Sequence, residues 1–136
     1  MYTTEAPTLI NLPKIPDDRG NLSFLENREH IPFDIKRVYW IYDVPGGEAW
    51  GGHAYYNTSE VIIALSGSFD IVVHSGKRSQ IFSLNRSYFA LHIPALHWKT
   101  MQNFSTNSLA LVVTDTVYNP EQYIRNWEQF KTLTNA

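Results

Sequence analysis

His53 and Tyr55, with one alanine between them, form the centre of the residue pattern that most constrains the fold of this chain. Five residues separate Gly47 from His53, four separate Tyr55 from Glu60, and six separate Glu60 from Gly67. Alternate residues of a β-strand share a face, so His53 and Tyr55 point the same way while the alanine points the other way. The spacing predicts a small β-barrel with a pocket.

Short strand-like runs, several of them rich in β-branched and aromatic residues, follow one another along the rest of the chain. Turn-forming residues such as Gly, Asn, Asp and Ser separate these runs. Many short strands joined by tight turns are typical of a β-sandwich or a β-barrel. The runs cover residues 9–12, 22–26, 35–44, 61–65, 68–73, 80–84, 88–93 and 109–114.

The length of 136 residues suits one domain, so we treat residues 1–136 as a single domain. Hydrophobic residues make up 43% and charged residues 18%, which is a globular composition. The net charge of -2 gives no general attraction to nucleic acid or to anionic membranes. No apolar run approaches the roughly 20 residues that cross a bilayer. We therefore expect a cytoplasmic protein that has neither nucleic-acid nor membrane partners.

The C-terminus carries the one clear helix signal. Asn119 is a favourable N-cap, Pro120 suits the first helical position, and Gln122 can complete a capping box. The pattern predicts an α-helix over residues 120–132 that covers an open edge of the barrel or, as the alternative, forms an interface. Its apolar stripe consists of Tyr123, Ile124, Trp127 and Phe130.

The spacing from Gly47 to Gly67 resembles the first motif of the cupins, whose barrel is a double-stranded β-helix or jelly roll. Metal-binding cupins typically supply two His, a Glu and a later His, at positions that correspond here to His53, Tyr55, Glu60 and Lys99. A Lys ammonium cannot coordinate a metal without losing its proton. Because two of the four usual ligands are replaced, we expect neither a metal nor another cofactor.

Two further histidines, His92 and His97, remain possible nitrogen donors. Pro94 lies between them and interrupts the strand, so alternation does not define whether they converge. A pocket that holds His53 without a metal suits proton transfer, since the reference pKa of histidine is about 6.5. A tyrosine hydroxyl in the same pocket can donate a hydrogen bond to a carbonyl oxygen and stabilise a developing enolate.

Tyr39 is the second candidate for such a role. Alternation places Arg37, Tyr39 and Ile41 on one face of their run and residues 38, 40 and 42 on the other. Both faces carry aromatic side chains, so the pattern leaves the inner face undecided. Arg19 is a third candidate, because an arginine beside Gly20 either lies in solvent or presents its donors to a phosphate or sugar oxygen.

Four blocks of the sequence carry a family resemblance. They are Asp18-Arg19-Gly20, Ile-Pro-Phe-Asp-Ile-Lys-Arg-Val-Tyr at residues 31–39, Gly52-His53-Ala54 and Gln122-Tyr123-Ile124-Arg125. Together they resemble the nucleotide-sugar 3,4-ketoisomerases, the WxcM-like cupins of the FdtA and QdtA type. The resemblance implies a metal-free enzyme that moves the keto group of dTDP-4-oxo-6-deoxyglucose from C4 to C3, on a route to amino sugars of lipopolysaccharide or S-layer glycans. It also implies a homodimer with exchanged N-terminal strands.

The resemblance also implies roles for individual residues. His53 would remove the C3 proton, and Tyr39 and Arg19 would line the same pocket. The family usually has a second His where this chain has Tyr55, and a hydroxyl with a reference pKa of about 10 is a poor base. We therefore keep two alternatives, a nucleotide-sugar epimerase and a catalytically silent cupin that binds a sugar nucleotide. The predicted catalytic residues are His53, Tyr55 and Tyr39, and the predicted substrate-binding residues are Arg19, Arg37, His97, Trp98 and Lys99.

Overall fold

A computed structural model describes residues 5–134, which are built mainly from antiparallel β-strands. None of the helices in this part of the chain is long and apolar enough to cross a membrane. The strands are β1 Thr8–Asn11, β2 Lys14–Ile15, β3 Leu22–Ser23, β4 Arg37–Tyr42, β5 Trp50–Tyr55, β6 Glu60–Ser66, β7 Phe69–His74, β8 Ser79–Leu84, β9 Phe89–Ile93, β10 Trp98–Gln102, β11 Leu109–Thr114 and β12 Tyr123–Ile124, and the helix α1 is Trp127–Thr134.

Two five-stranded sheets form the barrel. The first has the strand order β1-β9-β6-β11-β4 and the second the order β12-β5-β10-β7-β8, while β2 and β3 form a separate hairpin. Neighbours in sequence such as β6 and β7 lie in different sheets, so the chain crosses repeatedly between the two layers. This arrangement is the jelly-roll barrel that the cupin-like spacing predicts, and it confirms the all-β fold class.

The core lies between the two sheets. Ile62 and Val112 point into it from the first sheet, and Ile71 and Met101 meet them from the second. All four side chains are fully buried. Burying one such side chain stabilises a fold by about 1.5–3 kcal/mol, so this interior supplies much of the driving force for closing the barrel.

Two smaller apolar clusters cover the outer faces of the sheets. On the first sheet, Ile31 and Phe33 of the segment before β4 pack against Val61 and Ile63. On the second sheet, Phe130 of α1 packs in a cluster with Ile124, Ala54, Leu96 and Trp98. The second cluster fixes the C-terminal segment beside β5, the strand that carries His53.

The helix predicted over residues 120–132 is wrong in its first half. The capping signal is real, because Asn119 Oδ1 accepts a 3.0 Å hydrogen bond from the Glu121 amide, but only a 3₁₀ turn follows it. Tyr123 then pairs with Tyr55 across the sheet, so the chain extends as β12 before α1 begins at Trp127. Backbone pairing with a distant strand overrides the local helical pattern.

The strand predictions agree with the structure at seven of the eight runs to within about two residues at each end. The run over residues 22–26 shortens to Leu22–Ser23, and the strands β2, β10 and β12 were not predicted. The single-domain prediction over residues 1–136 stays a prediction, since residues 1–4 and 135–136 lie outside the described part of the chain.

Candidate active site

A cavity of about 410 Å³ opens at one end of the barrel. Strands β4, β5 and β10 form its walls, and the short strand β12 closes one side. Because side chains alternate along a strand, the odd-numbered side chains of β5 point into this cavity. The polar and aromatic lining includes Arg37, Tyr39, Trp50, His53, Tyr55, Lys99, Tyr123 and Arg125.

His53 faces this cavity from β5, as the alternation predicts. Its ring centroid lies 5.1 Å from that of Tyr55 and 5.1 Å from that of Tyr123. Its Nε2 atom is shielded and has no hydrogen-bond partner among residues 5–134. Burial lowers the pKa of His53 to about 4, with a further lowering by the charge of Lys99. The imidazole is therefore neutral near pH 7 and able to accept a proton.

A buried ion pair lies beside His53. Lys99 Nζ is 2.5 Å from Glu60 Oε1, and both side chains are almost fully shielded from solvent. The other carboxylate oxygen, Glu60 Oε2, accepts a 2.8 Å hydrogen bond from the Tyr39 hydroxyl. Burial alone would raise the pKa of Glu60, but Lys99 and the two hydrogen bonds outweigh it, so the pKa lies below its usual value. The carboxylate is ionised.

Tyr55 presents the second hydroxyl of the cavity. It is buried, and its hydroxyl has no hydrogen-bond partner within the described part of the chain. Burial and the negative charge of Glu60 raise its pKa, so the hydroxyl keeps its proton at neutral pH. Tyr55 is therefore a hydrogen-bond donor and not a base.

Two arginines flank Tyr123 on the cavity wall. The Arg37 guanidinium lies 4.6 Å from the Tyr39 ring centroid and 4.9 Å from that of Tyr118, and Arg125 lies 4.1 Å from the Tyr123 ring centroid. Neither arginine forms an ion pair with an acidic side chain of residues 5–134. The wall therefore carries two positive charges that no carboxylate neutralises, which favours an anionic ligand.

Two predicted substrate-binding residues, His97 and Trp98, lie outside this cavity. Trp98 points to the outer face of β10, where its ring centroid is 5.3 Å from that of Trp127. His97 precedes β10 and is buried, with Nδ1 3.0 Å from the Ala95 carbonyl oxygen. Alternation along β10 turns Lys99 inward and Trp98 outward, and His97 lies before the strand. Neither His97 nor Trp98 lines this cavity, and their substrate-binding roles stay predictions.

Arg19 is also remote from the cavity of its own chain. Its guanidinium is exposed and pairs with Asp17, with 2.9 Å between Nε and Oδ1. The expectation that Arg19 and Tyr39 line one pocket is therefore not met within a single chain. Tyr39 and Arg37 do line the cavity together, which identifies the face of β4 that the sequence left undecided.

Tyr123 and Arg125 line the cavity although neither was predicted as a site residue. The helical interpretation of residues 120–132 placed Tyr123 on a stripe that packs on the barrel and gave Arg125 no role. A signal was present, because Tyr123 and Arg125 are separated by one buried residue, Ile124, as expected for a strand with one face on a pocket.

The donor set of the cavity suits acid–base chemistry better than metal binding. No group of three or more His, Cys, Asp or Glu side chains able to hold a metal ion occurs between residues 5 and 134. Glu60, which keeps the carboxylate position of the cupin motif, is committed to Lys99 and Tyr39. The groups that remain are one imidazole, hydroxyls and cations.

Comparison with known proteins identifies the family. Residues 5–135 match the family described as "WxcM-like, C-terminal" (FdtA). The chain belongs to the FdtA family. The resemblance that the four sequence blocks indicate is therefore confirmed over nearly the whole length.

Several FdtA-type proteins are similar in sequence or structure. A TDP-4-oxo-6-deoxy-alpha-D-glucose-3,4-oxoisomerase from Aneurinibacillus thermoaerophilus is 35% identical over 123 residues, which cover 90% of this chain and 88% of the relative. The WlaRB TDP-quinovose 3,4-ketoisomerase from Campylobacter jejuni is 40% identical, with a TM-score of 0.89 and coverage of 93% and 97%. The 3,4-ketoisomerase QdtA from Thermoanaerobacterium thermosaccharolyticum, in complex with TDP, is 32% identical, with a TM-score of 0.94 and coverage of 98% and 97%.

Proposed function

We propose that this chain is a metal-independent isomerase that moves the keto group of dTDP-4-oxo-6-deoxyglucose from C4 to C3. One observation carries the proposal. His53 presents a neutral imidazole to the cavity, in a chain whose relatives are named as TDP-sugar 3,4-ketoisomerases. The reaction needs a base that takes a proton from the carbon beside a ketone and returns it to the neighbouring carbon, and a neutral imidazole can do both.

The proposed steps balance without a cofactor. His53 takes the proton from C3, the C3–H electron pair forms a C3–C4 double bond, and the C4 carbonyl oxygen becomes an oxyanion. The C3 hydroxyl then gives its proton to that oxyanion, which leaves the negative charge on the C3 oxygen. The imidazolium of His53 finally protonates C4, and the C3 oxyanion becomes the new carbonyl as the C3–C4 double bond is lost. Tyr55 donates a hydrogen bond to the enediolate oxygens, because its hydroxyl has no hydrogen-bond partner among residues 5–134.

The charge distribution of the cavity gives the substrate one orientation. The arginines Arg37 and Arg125 bind the diphosphate, since no carboxylate side chain in the described part of the chain forms an ion pair with either of them. The hexose then lies deeper, beside His53 and Tyr55. Trp50 lines the cavity and is half exposed, so it is available to stack on the thymine.

A homodimer with exchanged N-terminal strands gives Arg19 a role that it lacks within one chain. Arg19 lies near the tip of the β2–β3 hairpin, whose Ile15 and Leu22 are 53% and 54% exposed. Exposed apolar side chains on a hairpin favour its packing against another subunit. In such a dimer Arg19 reaches the partner's cavity and contacts the substrate. The enzyme would act in the cytoplasm, in the biosynthesis of deoxyamino sugars for surface glycans.

Incubation with dTDP-4-oxo-6-deoxyglucose in deuterated water, followed by NMR, tests the proposed reaction. We expect a 3-oxo product that carries deuterium at C4. An epimerase would introduce deuterium at C3 or C5 without shifting the keto group, and a silent binder would introduce none above background. His53→Asn is the matched control. It removes the base, so deuterium exchange should be abolished. It leaves both arginines in place, so the affinity for TDP should stay within about threefold.

A further inference from the structure

Lys99 and Glu60 occupy two positions that bind a common ion in metal-binding cupins. In this chain the two side chains bind each other, with Lys99 Nζ 2.5 Å from Glu60 Oε1. Lys99 also pairs with His53 in the β10–β5 register, which places both on neighbouring strands of one wall. An ammonium is therefore fixed at the floor of the cavity, beside the imidazole that faces the same space.

The hydrogen bonding of Lys99 is incomplete. An ammonium has three N–H donors, and Glu60 is the one acceptor that Lys99 Nζ has among residues 5–134. The side chain is almost fully buried, yet it lines the cavity. A buried cation with unused donors is poorly solvated, so a ligand oxygen placed within reach gains a strong charge-assisted hydrogen bond.

Stability does not account for this ion pair. Removing two charges from water costs several kcal/mol, and apolar replacements of buried ion pairs are often neutral or stabilising. Glu60 also holds Tyr39, whose hydroxyl donates to Oε2 at 2.8 Å. The carboxylate thus fixes two neighbouring donors, which is the arrangement expected of a group that orients catalytic side chains.

We propose that Lys99 is the electrophile of this active site: its ammonium, oriented by Glu60, donates a hydrogen bond to the charged oxygen of the enediolate, at the place where other cupins hold a metal ion. This inference rests on the proposed isomerase function. Lys99 only donates hydrogen bonds in this role, so proton transfer remains with His53 and no co-reactant is needed. Lys99 is thus a catalytic residue, and Glu60 is a positioning residue.

Three variants separate catalysis from folding. The double variant Glu60→Gln with Lys99→Met removes both charges together, so no unpaired ion is left buried. Lys99→Arg keeps a positive donor, and Lys131→Met is the matched control, since it removes a lysine that pairs with Glu128 at the surface. Circular dichroism and the affinity for TDP show whether each variant is folded with an intact binding site.

We expect the double variant to bind TDP within about threefold of the parent chain and to lose roughly 10²–10³-fold in both isomerisation and deuterium exchange, the range seen when one oxyanion donor is removed. Lys99→Arg should keep more than a tenth of the parent rate, and Lys131→Met should be unchanged. In Lys99→Ala, added ethylammonium should restore part of the rate, whereas tetramethylammonium, which has no N–H donor, should not.

The possible results distinguish this inference from the proposed function. A folded double variant that isomerises within about threefold of the parent overturns the role of Lys99 and leaves the isomerase function intact. Equal effects of ethylammonium and tetramethylammonium on Lys99→Ala also overturn it. Such a result would show that the cation fills space or supplies charge, and that no N–H donor to the substrate is needed. A parent chain that neither shifts the keto group nor exchanges deuterium overturns both proposals.

Discussion

The Tyr39 hydroxyl donates a 2.8 Å hydrogen bond to Glu60 Oε2, and this bond distinguishes Tyr39 from Tyr55, another tyrosine of the cavity. The hydroxyl proton of Tyr39 is therefore already used in a hydrogen bond to a buried carboxylate. Tyr55 lies on the neighbouring wall with a buried hydroxyl that has no acceptor in the described part of the chain. Of these two tyrosines, Tyr55 alone therefore has a free donor for a substrate oxygen, so the two residues have different roles although both were predicted to be catalytic.

Phenylalanine substitutions test this difference. We expect Tyr55→Phe to lower kcat by roughly 100-fold with little change in stability, since it removes a donor to the enediolate. Tyr39→Phe should lower kcat by less than about 10-fold but reduce the free energy of unfolding by roughly 1.5–3 kcal/mol, the usual worth of a hydrogen bond to a charged group. Steady-state kinetics and urea denaturation measure both quantities. The opposite ranking of the two kcat values would assign the donor role to Tyr39.

The low pKa of His53 predicts the pH dependence of the reaction. Burial and Lys99 favour the neutral imidazole, so the folded protein holds His53 unprotonated down to a pKa of about 4. Because only the neutral form accepts a proton, kcat/KM should stay constant as the pH falls from 8 to about 6 and then decline near pH 4. An exposed histidine would lose activity below about pH 6.5. Initial rates in a buffer series, with circular dichroism at each pH as the folding control, decide between the two profiles.

Much of the site follows from alternation alone, because it lies on strands. His53 and Tyr55 share a face by their period of two, and Lys99 and Met101 share one in the same way once β10 is recognised as a strand. The sequence Trp-Lys-Thr-Met-Gln does not indicate that β10 is a strand, since a lysine stands where the pattern of a buried strand requires an apolar residue. The charge is tolerated only because Glu60 from another strand neutralises it.

The remaining site residues depend on contacts between distant parts of the chain. Tyr123 reaches the cavity through backbone pairing with Tyr55, and no local pattern records a partner so far away in the sequence. Likewise, the sequence does not define which face of β4 points inward, because this depends on how the sheet forms. Trp40 and Tyr42 then remain 57% and 61% exposed at an edge strand, while Tyr39 turns inward.

Phe130 should account for a large part of the stability of the C-terminal segment. Its side chain is fully buried in the cluster that joins α1 to β5 and β12. We expect Phe130→Ala to reduce the free energy of unfolding by about 3–5 kcal/mol, because it removes apolar contacts and leaves a cavity. Glu128→Ala, at an exposed position of the same helix, should change it by less than about 0.5 kcal/mol. Urea denaturation followed by tryptophan fluorescence measures both, and a loss below about 1 kcal/mol for Phe130→Ala would show that α1 is weakly docked.

The unpaired arginines should set the affinity for the diphosphate. We expect Arg125→Gln to weaken TDP binding by roughly 10- to 100-fold, the loss of one charge-assisted interaction, and to leave thymidine binding within about twofold. Arg37→Gln should behave in the same way, although its cation–π contacts with Tyr39 and Tyr118 add a structural cost. Arg78→Gln, an exposed arginine outside the cavity, is the control. Equal losses for TDP and thymidine in calorimetric titrations would contradict diphosphate recognition.

Tyr55 is the departure that most affects the proposed chemistry, because related enzymes usually have a second histidine at this position. A histidine here would keep a hydrogen-bond donor near His53 and add a group whose reference pKa of about 6.5 allows it to carry a proton between C3 and C4. We therefore expect Tyr55→His to raise kcat for isomerisation by roughly 10-fold, in contrast to the loss in Tyr55→Phe. Kinetics in deuterated water should show faster incorporation at C4, since two groups then share the transfer.

The change should leave TDP affinity within about threefold, because Tyr55 lies deeper than the arginines that bind the diphosphate. The His53→Asn, Tyr55→His double variant is the control for which imidazole acts. If His53 is the base that starts the reaction, this double variant stays inactive. Activity in the double variant would transfer the base role to position 55, and no gain in the single variant would show that the site depends on the tyrosine hydroxyl itself.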